Sequence, residues 1–392
     1  MERPLIATVT LNPACDQAVT VERFELGVVN RCQVESFDPG GKGLNASRVI
    51  HRLGRPTLAL GYVGGVTGAF IRDRLDAEGV PHELWEVAEP TRLNVMVRET
   101  ESGRRTRIYG PGAHVPEVML DLLRARLERL PPGSMVVLAG SLPPGLPETT
   151  YRDLIGWLRN LRLPTVLDAS GAALAAALGA RPALVKPNVE EAAALLGYKL
   201  DHDDVALAGA EELRRRGAEQ VVISLGERGA VAVGDGGQWK VVPPWVNALS
   251  TVGSGDSMVA GLAIGLFEDS GLVEALRLGA AAGAATATTR GTQLCALEDV
   301  RRLLPRVVVT PFHNPLPSGM GHREAIGDSG HRAQMAHERP AASQVAPGIR
   351  ATADLHDRGA NGPVAGRVEP LARQDWSVDL ALDGPALPGR LA

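Results

Sequence analysis

Aromatic residues are scarce in this chain, at 4% of 392 residues, and neither charge sign prevails, since the formal net charge is only -4. The second shortage argues against a nucleic-acid partner, which a strongly basic surface would attract. Cysteine is nearly absent. Cys15, Cys32 and Cys295 are too scattered for a zinc pattern and too few for a disulfide framework, so they read as small apolar residues of a reducing compartment. No run approaches the roughly 18 apolar residues of a membrane span, and the start, MERPLIATVTLNP, lacks the basic flank and long apolar stretch of a leader. These absences predict a cytoplasmic protein with no membrane and no nucleic-acid partner. What remains is a hydrophobic content of 44%, ample for a large core, and the prior of a small-molecule enzyme.

Short β-rich runs alternate with helical ones between residue 57 and about residue 300: TLALGYV, SMVVLAG, PTVLDAS, ALVKPN and QVVISLG, with helices expected over 67–78, 147–161 and 189–196. Such alternation predicts an α/β fold with a mainly parallel sheet covered by helices on both faces. The continuous apolar strands VVLAG and VVISLG agree, because strands buried on both faces lose polar alternation. An earlier helix is expected over 44–53, with Gly54 as its stop. Two segments, 18–37 and 93–109, read instead as strands of a half-exposed sheet, the second a hairpin turning at Glu101–Gly103. They suggest a small β-sheet lid, with lid segments at about 16–38 and 91–110. Residues 315–392 are rich in Gly, Pro, Ala, Arg and His and carry Trp376 as their single aromatic, so they are expected to form a disordered extension of a domain spanning 1–314.

Chemistry concentrates where glycines precede helices. In STVGSGDSMVAG, Gly253, Ser254 and Gly255 lead into an apolar helical run that should stop at Gly271, and Asp256 falls in its first turn. Helix-start amides favour an anion ahead of them. A carboxylate there either caps the helix or takes a proton from a group attacking that anion, and spacing alone leaves both open. In PGGKGLN, Gly40, Gly41 and Gly43 allow close backbone approach and Lys42 adds a point charge suited to phosphate, but the register is not that of a Walker A loop. GYVGGVTG likewise misses the dinucleotide fingerprint, which disfavours a nicotinamide-dependent reductase. Asp16, after the first strand, is either a sugar-hydroxyl acceptor or a turn residue; Arg31 and Arg92, each taken alone, read as surface charges. Asn188 and Glu191, three apart at a helix start, could orient a hydrated Mg²⁺ or form an ordinary cap.

The order of TLNPACD, PGGKGLNASR, TRLNV, LAGSLPPG, LVKPNVEE, VISLGERGA and STVGSGDSMVAG resembles that of the ribokinase-like PfkB sugar kinases, in the phosphosugar branch that holds bacterial 1-phosphofructokinases. The resemblance covers about residues 5–313 and implies a three-layer core with a β-lid, ATP as phosphoryl donor and Mg²⁺. It implies Asp256 as catalytic base, with Gly253, Ser254 and Gly255 facing the transferred group. It also implies Asp16, Arg31, Gly40, Gly41, Lys42, Asn45 and Arg92 at the sugar phosphate. Lys186, Asn188, Ser224, Gly226, Gly229 and Thr251 would line the nucleotide pocket, and Asn188 with Glu191 would organise the metal. PGGKGLNASR, VGGVTGAFI, TRLNV and LPRVVVTPF are most similar to the 1-phosphofructokinases, whereas GTQLC is similar to the minor 6-phosphofructokinase branch. The expected reaction is phosphorylation of fructose 1-phosphate to fructose 1,6-bisphosphate. Fructose 6-phosphate and tagatose 6-phosphate are the alternative acceptors, and a sugar-phosphate sensor is the non-enzymatic alternative. A homodimer through the lid is also allowed.

Overall fold

The computed structural model describes residues 3–312; the extension expected beyond residue 314 lies outside them. In chain order the elements begin with β1 (Ile6–Thr10), β2 (Ala14–Val21), β3 (Gln33–Gly40), α1 (Lys42–Arg52), β4 (Thr57–Val63), α2 (Gly65–Ala77) and β5 (His82–Glu86). They continue with β6 (Arg92–Glu99), β7 (Arg105–Tyr109), α3 (Met119–Leu127), β8 (Met135–Ala139), α4 (Thr150–Asn160), β9 (Thr165–Asp168), α5 (Gly171–Leu178), β10 (Leu184–Val185) and α6 (Val189–Leu196). The last are α7 (Asp203–Arg215), β11 (Val221–Ser224), β12 (Ala230–Gly234), β13 (Gly237–Val242), α8 (Ser254–Phe267), α9 (Gly271–Ala287), α10 (Leu297–Leu303) and β14 (Val308–Pro311).

Ten strands form one sheet in the order β14-β13-β12-β11-β10-β9-β8-β1-β4-β5. The pairs from β11 through β5 are parallel, and β12, β13 and β14 extend the sheet antiparallel. Side-chain alternation divides each central strand between two cores. Val136 and Leu138 of β8 join the cluster beneath α3, α4, α5 and α7, while Met135, Val137 and Ala139 join the cluster beneath α1, α8 and α9. This is the layered α/β fold expected from the apolar runs. The second sheet has the order β3-β2-β6-β7, with β2 and β6 parallel. Its strands span the two segments that interrupt the alternation, and Val34, Ile108 and Tyr109 remain exposed on it.

One expectation fails, and two readings left open are narrowed. Asp16 is not in a turn after β1 but inside β2, paired across to Asp38 and Asn94. The helix after STVGSG ends at Phe267, with Asp269 at φ 52, and Gly271 opens α9 instead of stopping α8. Gly64 and Gly65 pack against the backbone of Val87, Glu89 and Pro90, so the GYVGG glycines serve a tight turn.

Helix α9, rich in Ala and Gly, packs closely on α8. A Cβ built at Gly261 would lie 2.6 Å from the Gly279 Cα and amide nitrogen. Because backbone cannot yield like a side chain, Gly261→Ala is expected to lower stability by about 1–3 kcal/mol in chemical denaturation, the usual cost of overpacking. An unchanged midpoint would mean the two helices separate freely.

Candidate active site

Most of the predicted residues outside the small sheet gather at the carboxyl ends of the parallel strands, where open α/β sheets bind ligands. Helix α8 begins there. Its N-cap is Gly253 at φ 78, a left-handed conformation that favours glycine, and no side chain caps the helix. The carboxylate of Asp256 therefore does not serve its own helix. It instead accepts a hydrogen bond from Asn45 Nδ2 at 2.8 Å, across from α1. Burial pushes its pKa up to about 6, the Asp168 charge adds to the rise, and Asn45, Lys42 and Lys186 oppose it. A carboxylate with that affinity is ionised yet basic near neutral pH. The Ser254 hydroxyl beside it is buried with no hydrogen-bond partner among the described residues.

Lys42, the first residue of α1, reaches from the PGGKG turn to two acids. Its Nζ lies 2.9 Å from Asp168 Oδ1 and 3.2 Å from Glu191 Oε1. Burial opposes its charge, but the two carboxylates outweigh that penalty and hold the ammonium well above the ordinary lysine range. Lys186, buried just beyond β10, sits 3.5 Å from Asp168 Oδ2. One buried carboxylate thus serves two lysines. Asn188 and Glu191 form a complete capping box at the start of α6, with Glu191 N to Asn188 Oδ1 at 2.7 Å and Asn188 N to Glu191 Oε2 at 2.9 Å. Beside Asn188, bridged to it in parallel, is Ser224 at the end of β11. The turn that follows closes through Leu225 N to Gly229 O at 2.8 Å, with Gly226 and Gly229 at positive φ. Thr251 is exposed immediately before α8, its carbonyl accepting from Ser254 N at 3.3 Å.

A second group centres on Asp16, whose Oδ1 accepts from Asn94 Nδ2 at 2.8 Å. Burial raises its pKa, while Asn94 and Arg92 pull it back. A Cβ at Gly40 would overlap this carboxylate and displace it, and one at Gly41 would come within 2.8 Å of Thr10 Cγ2. Arg92 donates to the carbonyls of Asn12 at 3.0 Å, Gly110 at 3.1 Å and Pro13 at 3.4 Å, and burial depresses its pKa. Arg31 stands apart. It is exposed between β2 and β3, with no ion pair among the described residues.

Three residues at the site are singled out by no local motif. Asp168 ends β9 as the polar terminus of the apolar run TVLD, and a carboxylate at the carboxyl end of a buried strand was the available signal. Ser141, within LAGSLPPG, and Asn12 meet through Asn12 Nδ2 to Ser141 Oγ at 3.1 Å. No local pattern would have paired positions so far apart in the chain.

Known proteins resemble this chain in sequence and fold. The model of the pfkB family of carbohydrate kinases matches residues 9–299. A 1-phosphofructokinase of Bacillus subtilis is 37% identical over 78% of this chain and 99% of its own length. An ATP-dependent 6-phosphofructokinase isozyme 2 of Escherichia coli is also 37% identical, over 76% of this chain and 97% of its own. The crystal structure of Escherichia coli phosphofructokinase-2 in complex with fructose-6-phosphate superposes with a TM-score of 0.72 at 35% identity, covering 78% of this chain and 99% of that one.

Proposed function

The chain belongs to the pfkB family of carbohydrate kinases, and from that membership we propose that it transfers the γ-phosphoryl group of ATP to fructose 1-phosphate, with Asp256 as general base. The observation that carries the base assignment is the Asp256 carboxylate at the start of α8, bonded to Asn45 of the PGGKGLN turn and not to its own helix. Relatives at equal identity are named for fructose 1-phosphate and fructose 6-phosphate kinases, and the PGGKGLNASR and TRLNV segments favour the former.

In this reading Asp256 takes the proton from the attacking hydroxyl as it approaches the γ-phosphorus. The amides at Gly253, Ser254 and Gly255 stabilise charge on the transferred oxygens, which is most of what phosphoryl transfer requires of a protein. Asp16 and Asn45 accept and orient the sugar hydroxyls. Arg92 holds the substrate's own phosphate; three carbonyls use only part of the donor capacity of its guanidinium. Lys42, shared between Asp168 and Glu191, stands between the sugar and nucleotide groups and steadies both. Lys186, Ser224, Gly226, Gly229 and Thr251 line the nucleotide side. The donor set fits a hydrated Mg²⁺: Asn188 and Glu191 already spend oxygens on the capping box, which suits contact through water, and Mg²⁺ keeps most of its waters. When bound with the nucleotide, that ion would neutralise phosphate charge. The small sheet acts as a lid that excludes water, and its exposed Val34, Ile108 and Tyr109 suit a homodimer through the lid.

Assays with fructose 1-phosphate, fructose 6-phosphate and tagatose 6-phosphate in competition at limiting ATP test the substrate. We expect kcat/KM for fructose 1-phosphate to exceed the others by at least ~10-fold, or about 1.4 kcal/mol of differential transition-state binding. Preference for a 6-phosphate would overturn the acceptor while leaving the family in place. ATP binding without turnover on any of the three would favour a sensor.

A further inference from the structure

Asn45 lies between two groups of fixed hydrogen-bonding sense. Its Nδ2 donates to Asp256 Oδ2 at 2.8 Å, and its Oδ1 accepts from Arg48 Nη1 at 3.3 Å. A guanidinium only donates and an ionised carboxylate only accepts, so a single amide orientation satisfies both neighbours. Reversed, the amide would set NH₂ against guanidinium and oxygen against carboxylate.

Arg48 is itself held firmly. Its side chain is only 3% exposed. Its Nε donates to Glu78 at 3.0 and 3.1 Å and its Nη2 at 2.6 Å, while Nη1 also reaches the Pro39 carbonyl at 3.4 Å. Arg52 adds a second donor to Glu78 at 3.1 Å and anchors to Leu294 O at 2.8 Å. Burial raises the Glu78 pKa, but the arginines outweigh it and hold the carboxyl below its ordinary value. A buried ion pair is poor at stabilising a fold compared with packed apolar side chains. Its value here lies in the remaining donor, which meets the amide that meets the base.

We propose that Arg48, anchored by Glu78, is a positioning residue that locks the Asn45 amide with its NH₂ toward Asp256. The proposal rests on Asp256 being the general base. The charged and polar groups facing Asp256 are Asn45 and Lys42 from α1, Asp168 from β9 and Lys186 beyond β10. Releasing the clamp frees the amide to turn, so its NH₂ faces the carboxylate for less of the time while the charges around Asp256 stay, and the carboxylate binds its proton more tightly.

The test is the pH profile of kcat/KM for the wild type, Arg48→Met and Glu78→Gln, each checked for fold by circular dichroism. In both variants the acid limb is expected to rise by about one pH unit, the scale of one hydrogen bond to a charged group. Turnover should fall about tenfold, with KM for ATP within about twofold of wild type. Glu78→Gln is decisive because it removes a negative charge. Electrostatics alone would then lower the Asp256 pKa, whereas a freed amide raises it, and the same variant carries the test should Arg48→Met not fold. A limb that stays or moves down in Glu78→Gln overturns the proposal. Asp256→Asn, measured alongside, separates the two readings: its loss of turnover keeps the base whatever Arg48 does, and its retention of turnover removes both.

Discussion

Asp256→Asn is expected to lower kcat by at least ~100-fold, the low end for loss of a general base, while nucleotide binding is nearly unchanged. The same variant should be more stable than the wild type at neutral pH. The sign follows from the carboxyl pKa, which burial raises from 3.8 to about 6 in the folded protein. Below about pH 4 the proton is bound in both folded and unfolded chains, and the group makes no difference to stability. As pH climbs through 6 the unfolded chain has released it more readily than the folded one, so folding bears a penalty that is complete above 6. That penalty is roughly 3 kcal/mol as an upper figure, and asparagine removes it. Thermal midpoints at pH 4 and pH 8 test this: the gap between variant and wild type should open at the higher pH. For the wild type, turnover should decline as pH falls through about 6. Near-normal turnover in the variant would exclude Asp256 as the base.

The order of strands and helices was legible because it rests on local pattern. The TLALGYV run became β4 and VEEAAALL became α6 with little displacement, each set by burial on two faces or one. What was illegible depends on partners distant in sequence. Helix α9 lacks a strong apolar stripe because its small residues serve close approach to α8, a fact visible only at Gly261 and Gly279. Spacing leaves Asp16 either a sugar-hydroxyl acceptor or a turn residue, and the turn is excluded only once β2 is seen to carry it between β3 and β6. At the site, motifs named most of the residues but not their mutual contacts. PGGKGLN suggested that Lys42 is free to meet a phosphate, whereas Asp168 and Glu191 already hold it. Nothing near Lys42 in the sequence announces either acid.

The largest structural effect is therefore expected at Asp168. Its side chain is 1% exposed and is the carboxylate common to Lys42 and Lys186. In Asp168→Ala, Lys42 keeps Glu191, but Lys186, 3% exposed, keeps no carboxylate within ion-pair reach among the described residues. Removing one member of a buried pair leaves an uncompensated charge and typically costs about 3–5 kcal/mol, so the denaturation midpoint should fall sharply. Asp168→Asn keeps the shape and isolates the charge. Because the Asp168 carboxylate helps to raise the Asp256 pKa, its neutralisation should lower that pKa and move the acid limb of kcat/KM below about 6. This is opposite to the shift expected on releasing Arg48, although both residues lie within the same polar network. Measuring midpoint and pH profile for both Asp168 variants separates support of the lysines from tuning of the base. An unmoved midpoint in Asp168→Ala would show that the lysines need no shared counter-ion, and an upward limb in Asp168→Asn would show that the lysines, once released, no longer sustain the ionised Asp256.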